Sequence, residues 1–264
     1  MPDDMTLPGN LVPTSPPAQP VAARDAVTVV LLRDGSDGLE AFLLRRVQGM
    51  AFAGGMTVFP GGGVDPRDAD TSVAWAGPPP EWWGSVFGVD PALARAFVCA
   101  AVRETFEESG VLLAGPDASS VVADTSTYAA ARQKLVDREM SLAQFLASEG
   151  LVLRADLLRP WSNWVTPHEE PRRYDTRFFV AALPSGQRAD GETTEASDAS
   201  WQTPAEAVLD AQEGRRMLMP PTWRTLDEVG ALGSVAAVMA QERSVEKIIP
   251  KLIRDGDVIR VVLP

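Results

Sequence analysis

The chain has 264 residues, of which 24 are basic and 36 acidic, for a formal charge of −12. That balance argues against a nucleic-acid polymer or an anionic membrane as partner, since both are bound chiefly through Lys and Arg. An apolar share of 45% suits a packed globular core, and the single cysteine, Cys99, excludes an internal disulfide. No apolar run approaches the ~18 residues that cross a bilayer, so the expectation is a cytoplasmic protein without membrane association.

Residues 1–24 carry prolines at 2, 8, 13, 16, 17 and 20 and no periodicity, which predicts a flexible tail before a domain over 25–264. Residues 26–33 are β-branched, 34–38 (DGSDG) have turn chemistry and 39–46 resume the strand pattern, which predicts a hairpin. A short strand ending at Val58-Phe59 runs into Pro60-Gly61-Gly62-Gly63, read as a turn. Residues 69–90, with Pro78-Pro79-Pro80 and Trp82-Trp83, read as an irregular segment anchored by aromatics. Pro91 to Ser109 is a strong helix, with Pro in its first turn and Gly110 as its stop. Further on come two helical stretches around Ser141, strands over 161–166 and 177–183, and a capping box at Thr203-Pro204-Ala205-Glu206 that starts a helix to about Glu213. Helices over 222–230 and 234–243 complete a mixed α/β sandwich.

The chemistry is concentrated in Arg103-Glu104-Thr105-Phe106-Glu107-Glu108-Ser109-Gly110. On a helix, positions 104, 107 and 108 fall within an arc of ~100°. Three carboxylates then project together near a helix C-terminus, where like charges repel and the dipole prefers cations. A divalent cation removes that conflict, and hard oxygen ligands suit Mg²⁺ or Mn²⁺. The upstream Gly61-Gly62-Gly63 can bring bare backbone close to a metal or a phosphate.

Together these residues resemble the Nudix box, in which a Gly, five residues, a Glu and seven residues precede Arg-Glu-x-x-Glu-Glu-x-Gly. Arg103 to Val111 matches the second half, and Gly62 with Asp68 matches the first, with Asp where the family prefers Glu. Residues 69–102 separate the halves, 34 residues in place of seven. A box split in this way resembles the branch that contains peroxisomal coenzyme A diphosphatases of type nineteen and their bacterial relatives. Leu43 to Arg46, Ala51 to Phe59, Trp164 to Pro167, Arg172 to Phe179, Trp201 to Ala207 and Pro220 to Thr222 extend the likeness.

The resemblance implies a Nudix α/β/α sandwich with a mixed sheet, an insertion within the box and additional C-terminal helices. It implies metal-dependent hydrolysis of a nucleoside diphosphate linked to another moiety, with coenzyme A or acyl-coenzyme A as first choice. ADP-ribose, NADH and dinucleoside polyphosphates are alternatives, as is a non-catalytic nucleotide-binding module. Glu104, Glu107 and Glu108 would hold the ions, Arg103 would brace the box against a neighbouring carboxylate, and Gly62 would approach the substrate. The general base is Glu104 or a carboxylate of a later loop, where Glu192 and Glu195 stand and Glu195 is preferred. Arg172, Arg173 and Arg177 have two readings: they bind substrate phosphates, or they pair with Asp175 along a strand. Arg45 and Arg46 are weaker phosphate candidates. His168 is expected at the surface and Cys99 in the core, and the helices at 127–149 and 222–243 are expected to build a lid or a homodimer surface.

Overall fold

The computed structural model describes residues 6–8, 17–49, 53–256 and 258–264. A short strand β1 (Thr6–Pro8) precedes a long hairpin of β2 (Arg24–Gly35) and β3 (Gly38–Arg46). Next come β4 (Thr57–Val58), β5 (Gly61–Gly63), β6 (Trp75–Ala76), α1 (Pro80–Phe87) and α2 (Pro91–Ser109). The middle of the chain forms β7 (Ala114–Gly115), α3 (Ala129–Val136), α4 (Leu142–Ser148) and β8 (Val152–Arg154). It continues with β9 (Leu158–Val165), β10 (Tyr174–Ala182) and β11 (Ala196–Gln202). The last part holds α5 (Pro204–Gln212), α6 (Pro220–Leu232), α7 (Val235–Met239), β12 (Lys247–Ile248), β13 (Lys251–Asp255) and β14 (Val258–Val262).

The central sheet runs β11-β3-β2-β10-β9-β12, with β4 on β3 and β5 on β2. It is mixed: β2 and β10 are parallel, whereas β2 and β3 are antiparallel. Alternation along β2 divides its side chains between the two faces, as a period of two requires. Val27, Val29 and Leu31 pack under Phe97, Val98 and Phe106 of α2, while Val30 and Leu32 join Ala207 of α5 and Leu226 and Val229 of α6. The result is three layers, α/β/α. No helix among the described residues is long and apolar enough by itself to cross a membrane.

Local signals set the ends of α2. Asp90 accepts the Leu93 N–H at 3.0 Å, Pro91 opens the helix, and Gly110 at φ 70° closes it in the left-handed region. Two other segments differ from the sequence reading. Gly61–Gly63 is a strand, not a turn: it pairs antiparallel with Ala26–Thr28. Absence of side chains is what admits it there, since a Cβ on Gly61 would lie 2.3 Å from the Val27 carbonyl oxygen. Residues 69–90 are not irregular throughout, because Pro80 occupies the first turn of α1, where a missing N–H costs nothing. The buried Trp83 of α1 reaches Phe179 of the sheet at 5.6 Å between ring centroids, and its indole N–H donates to the Pro78 carbonyl at 3.2 Å. The aromatic anchor is therefore Trp83, while Trp82 stays exposed.

Of the proline-rich segment 1–24, residues 1–5 and 9–16 lie outside the described residues. Thr6–Pro8 pairs with Val258–Arg260, so this stretch is strand and not tail. Extended backbone suits a segment ending in proline, and an edge strand tolerates a residue without an N–H.

Candidate active site

The box is broken in sequence and whole in space. Arg103 donates from Nε to Asp68 Oδ1 at 3.0 Å and from Nη2 to Asp68 Oδ2 at 2.9 Å, a two-point pair across the inserted residues. Its Nη1 reaches Glu104 at 2.8 Å and Glu107 at 3.3 Å, and Nη2 also donates to the Gly63 carbonyl at 2.9 Å. Burial opposes the charge on Arg103, but Asp68, Glu104 and Glu107 outweigh it and hold the guanidinium pKa above its ordinary value. Asp68 is itself buried and accepts the Asp65 N–H at 2.8 Å, closing the capping box that Asp65 opens on a single helical turn over Pro66–Ala69. One guanidinium thus joins helix α2, the glycine strand and the entrance of the insertion.

Glu108 is buried and accepts the Gly61 N–H at 2.7 Å. Gly62 lies against Glu104, whose Oε1 would be 2.5 Å from an added Cβ. The glycine strand and the acidic face of α2 therefore touch, and both line a cavity of about 860 Å³. Burial pushes the Glu108 carboxyl up to about 8, with repulsion from Glu104 adding to it. Burial also pushes Glu104 up to about 7 despite Arg103, and raises Glu107. Among the described residues no three acidic, His or Cys side chains converge as a ready metal cage, because Glu104 and Glu107 turn toward Arg103. The donor set nonetheless fits a hard divalent ion: buried, mutually repelling carboxylates line one cavity, and Glu108 has no ion-pair partner among the described residues.

The remaining candidates divide. Glu195 lines the cavity, pairs with Arg46 at 3.2 Å and leaves its side chain half exposed. Its field also acts on Glu108. Glu192 is absent from the cavity lining. Arg45 is exposed and lines a separate depression with Arg215 and Arg216, whereas Arg46 faces the cavity. Strand alternation puts neighbours on opposite faces, so the substrate-binding expectation for Arg45 moves by one residue.

Arg173 and Arg177 are structural. Arg173 is buried and donates to the backbone carbonyls of Val21, Thr166 and Pro167. Arg177 is buried, pairs with Asp25 at 2.6 Å and Asp175 at 3.1 Å, and stacks 4.2 Å over Phe97. Both are buried and absent from the cavity lining, so neither reaches a phosphate bound there. Arg172 is exposed and outside the cavity lining. His168 is exposed, and Cys99 is buried, which pushes its thiol up to about 12.

Sequence reasoning missed Arg67 and Arg138, which both line the cavity. Arg67 is held by Asp65 and donates to the Arg138 carbonyl at 3.1 Å. The Asp65-Pro66-Arg67-Asp68 run carries its own capping signature, a signal that would have found Arg67.

The two contact glycines predict different failures. Gly61→Ala drives a Cβ into backbone and is expected to lower stability, whereas Gly62→Ala meets only the end of the Glu104 side chain and should leave folding near normal. Displacing that carboxylate should still cost at least ~10-fold in turnover. Thermal melts beside rate measurements on both variants check this.

This architecture, with its reassembled Arg-Glu-x-x-Glu-Glu helix, defines a Nudix protein. A family model for the NUDT19 Nudix domain matches residues 84–229, more than half of the chain, and the chain belongs to that branch of the Nudix hydrolase superfamily. It is 30% identical over 229 residues to the acyl-coenzyme A diphosphatase NUDT19 of Gallus gallus, covering 71% of this chain and 60% of that protein. The Xenopus laevis protein of the same name is 25% identical over 233 residues, covering 75% of this chain and 61% of that one. The chain thus spans about three fifths of the length of these relatives. Among solved structures, a Nudix hydrolase from Alicyclobacillus acidocaldarius superposes with a TM-score of 0.70 at 26% identity, covering 85% of this chain and 98% of that one.

Proposed function

We propose that the protein hydrolyses a nucleoside diphosphate linked to another moiety, with coenzyme A or an acyl-coenzyme A as substrate and 3′,5′-ADP and (acyl-)phosphopantetheine as products. The observation that carries the reaction is the rebuilt box: Asp68 grips Arg103 so that Glu104, Glu107 and Glu108 line one cavity beside the glycine strand. The substrate choice is supported by the named activity of the relatives.

Glu104, Glu107 and Glu108 would hold Mg²⁺ or Mn²⁺, which when bound neutralises phosphate charge and lowers the pKa of a coordinated water. The chain's own residues supply position and proton traffic. Arg103 fixes the rotation of α2, and the Gly61 N–H fixes the Glu108 carboxylate. Gly61–Gly63 lets the diphosphate approach bare backbone. Arg46 and Arg67 place positive charge in the cavity for phosphate oxygens. Glu195 accepts the proton of the attacking water, and water adds across the P–O–P bond to leave two phosphate monoesters.

The test incubates the protein and Mg²⁺ with coenzyme A, an acyl-coenzyme A, ADP-ribose, NADH and diadenosine polyphosphates, and identifies the products. Release of 3′,5′-ADP is the expected result. Preferred turnover of ADP-ribose or a dinucleotide would overturn the substrate. Nucleotide binding without turnover of any compound would overturn the enzyme reading in favour of a regulatory module.

A further inference from the structure

The carboxylate assigned above as base sits on a loop that a partly buried framework ties to the far end of the catalytic helix. Gln187 is buried, donates to the Leu112 and Val122 carbonyls at 2.9 and 2.6 Å, and accepts the Leu112 N–H at 2.9 Å. Three residues on, the Asp190 N–H donates to the Ser109 carbonyl at 2.9 Å. The Asp190 carboxylate takes both arms of Arg132, at 2.9 and 2.8 Å, and accepts the Glu192 N–H at 3.0 Å. Arg132, on α3, donates its Nε to the Glu107 carbonyl at 3.1 Å. A single guanidinium therefore grips the backbone of a box glutamate and, with its other face, the loop that leads to Glu195. Gly110 lies directly beneath: a Cβ there would be 2.7 Å from Asp190 Oδ2 and 2.9 Å from Arg132 Nη1. From Glu192 onward the loop carries the Thr193 N–H to the Gly191 carbonyl at 2.8 Å and the Glu195 N–H to Thr193 Oγ1 at 3.2 Å. At Glu195 it joins the end of β3, where the Val47 N–H donates to the Glu195 carbonyl at 3.0 Å and Arg46 pairs with the carboxylate. The Asp190 clamp fixes the other end of this short span.

We propose that Arg132 and Asp190 are positioning residues that set the place of Glu195 relative to the box glutamates, an inference that rests on Glu195 being the base. Neither lines the cavity, so the pair acts on rate and not on substrate affinity. A two-point guanidinium–carboxylate pair fixes both distance and plane. Misplacing a base by about 1 Å costs on the order of 10²-fold.

The experiment compares Asp190→Ala, Arg132→Ala and Arg132→Lys, each alone and combined with Glu195→Gln, in the full chain with Mg²⁺ and the best substrate of the panel. Asp190→Ala and Arg132→Ala are expected to lower kcat by ~10- to 10²-fold with KM within about twofold. Arg132→Lys, keeping the charge without the fork, should recover only part of the loss. In the Glu195→Gln background the clamp variants should add nothing further. Additive losses, or a loss confined to KM, would overturn the clamp while leaving the base in place. An unchanged rate in Glu195→Gln alone would overturn the base and the clamp together. Should Asp190→Ala fold poorly, Asp190→Asn keeps the shape and is judged in the same cycle. Amide exchange gives a readout without substrate: the Glu192 and Glu195 N–H groups should exchange faster in Asp190→Asn while the α2 interior does not. Equal protection in both proteins would count against the clamp.

Discussion

Glu108→Gln is expected to lower Mg²⁺-dependent turnover by at least ~10²-fold while raising the melting temperature of the metal-free protein at alkaline pH. The two effects have opposite signs for one reason. Burial and Glu104 push the Glu108 carboxyl up to about 8, from an ordinary value of 4.5. The folded state thus binds this proton more tightly than the unfolded state, so stability falls as pH rises from about 4.5 through about 8. Glutamine keeps the shape and can still accept the Gly61 N–H, but it carries no charge to desolvate. Its advantage should be large above pH 8 and vanish near pH 4. Saturating Mg²⁺ should narrow the gap by stabilising the wild type alone. Melting curves with chelator and with Mg²⁺ at both pH extremes measure all four corners. A variant that is inactive and also less stable at alkaline pH would argue that Glu108 is a structural acid and not a metal ligand.

Asp68→Ala is expected to cost ~3–5 kcal/mol, because it leaves the Arg103 guanidinium buried with its best partner removed. The same substitution removes the acceptor of the Asp65 N–H and so loosens the turn that carries Arg67. Turnover should fall with it, since Arg103 would be left to Glu104 and Glu107 alone and draw both away from the cavity. Asp68→Glu restores the residue the family prefers, but its longer arm has to give up the short capping contact. It should recover most of the stability and less of the rate. Urea unfolding together with Mg²⁺-dependent kinetics on the two variants tests this order.

Much of the fold was legible where the signals were local. Asp90, Pro91 and Gly110 mark both ends of α2, and the capping box at Thr203 marks α5, so these boundaries could be read directly. The carboxylate trio was legible because helical spacing alone gathers it. What failed depended on partners distant in sequence. Three glycines in a row look like a turn, and only the pairing with Ala26–Thr28 makes them a strand. Arg173 and Arg177 look like a phosphate site, and only their packing against Val21, Asp25 and Phe97 shows both side chains turned inward. Arg45 and Arg46 differ by one position, and the sheet decides which of them faces the cavity. Asp68 looked like a departure from the pattern, yet its two bonds to Arg103 fill the role the pattern gives to Glu.

Because the Asp68–Arg103 pair closes the box through space, the length of chain between them is nearly free to vary. Loop-closure entropy grows only with the logarithm of length, so lengthening that stretch from seven residues to 34 costs roughly 1.4 kcal/mol. Burying Trp83 and Phe87 against Phe179 more than offsets so small a term. The box is thus a docking joint with a spacer of adjustable length, and the spacer can carry a helix of its own without disturbing the joint.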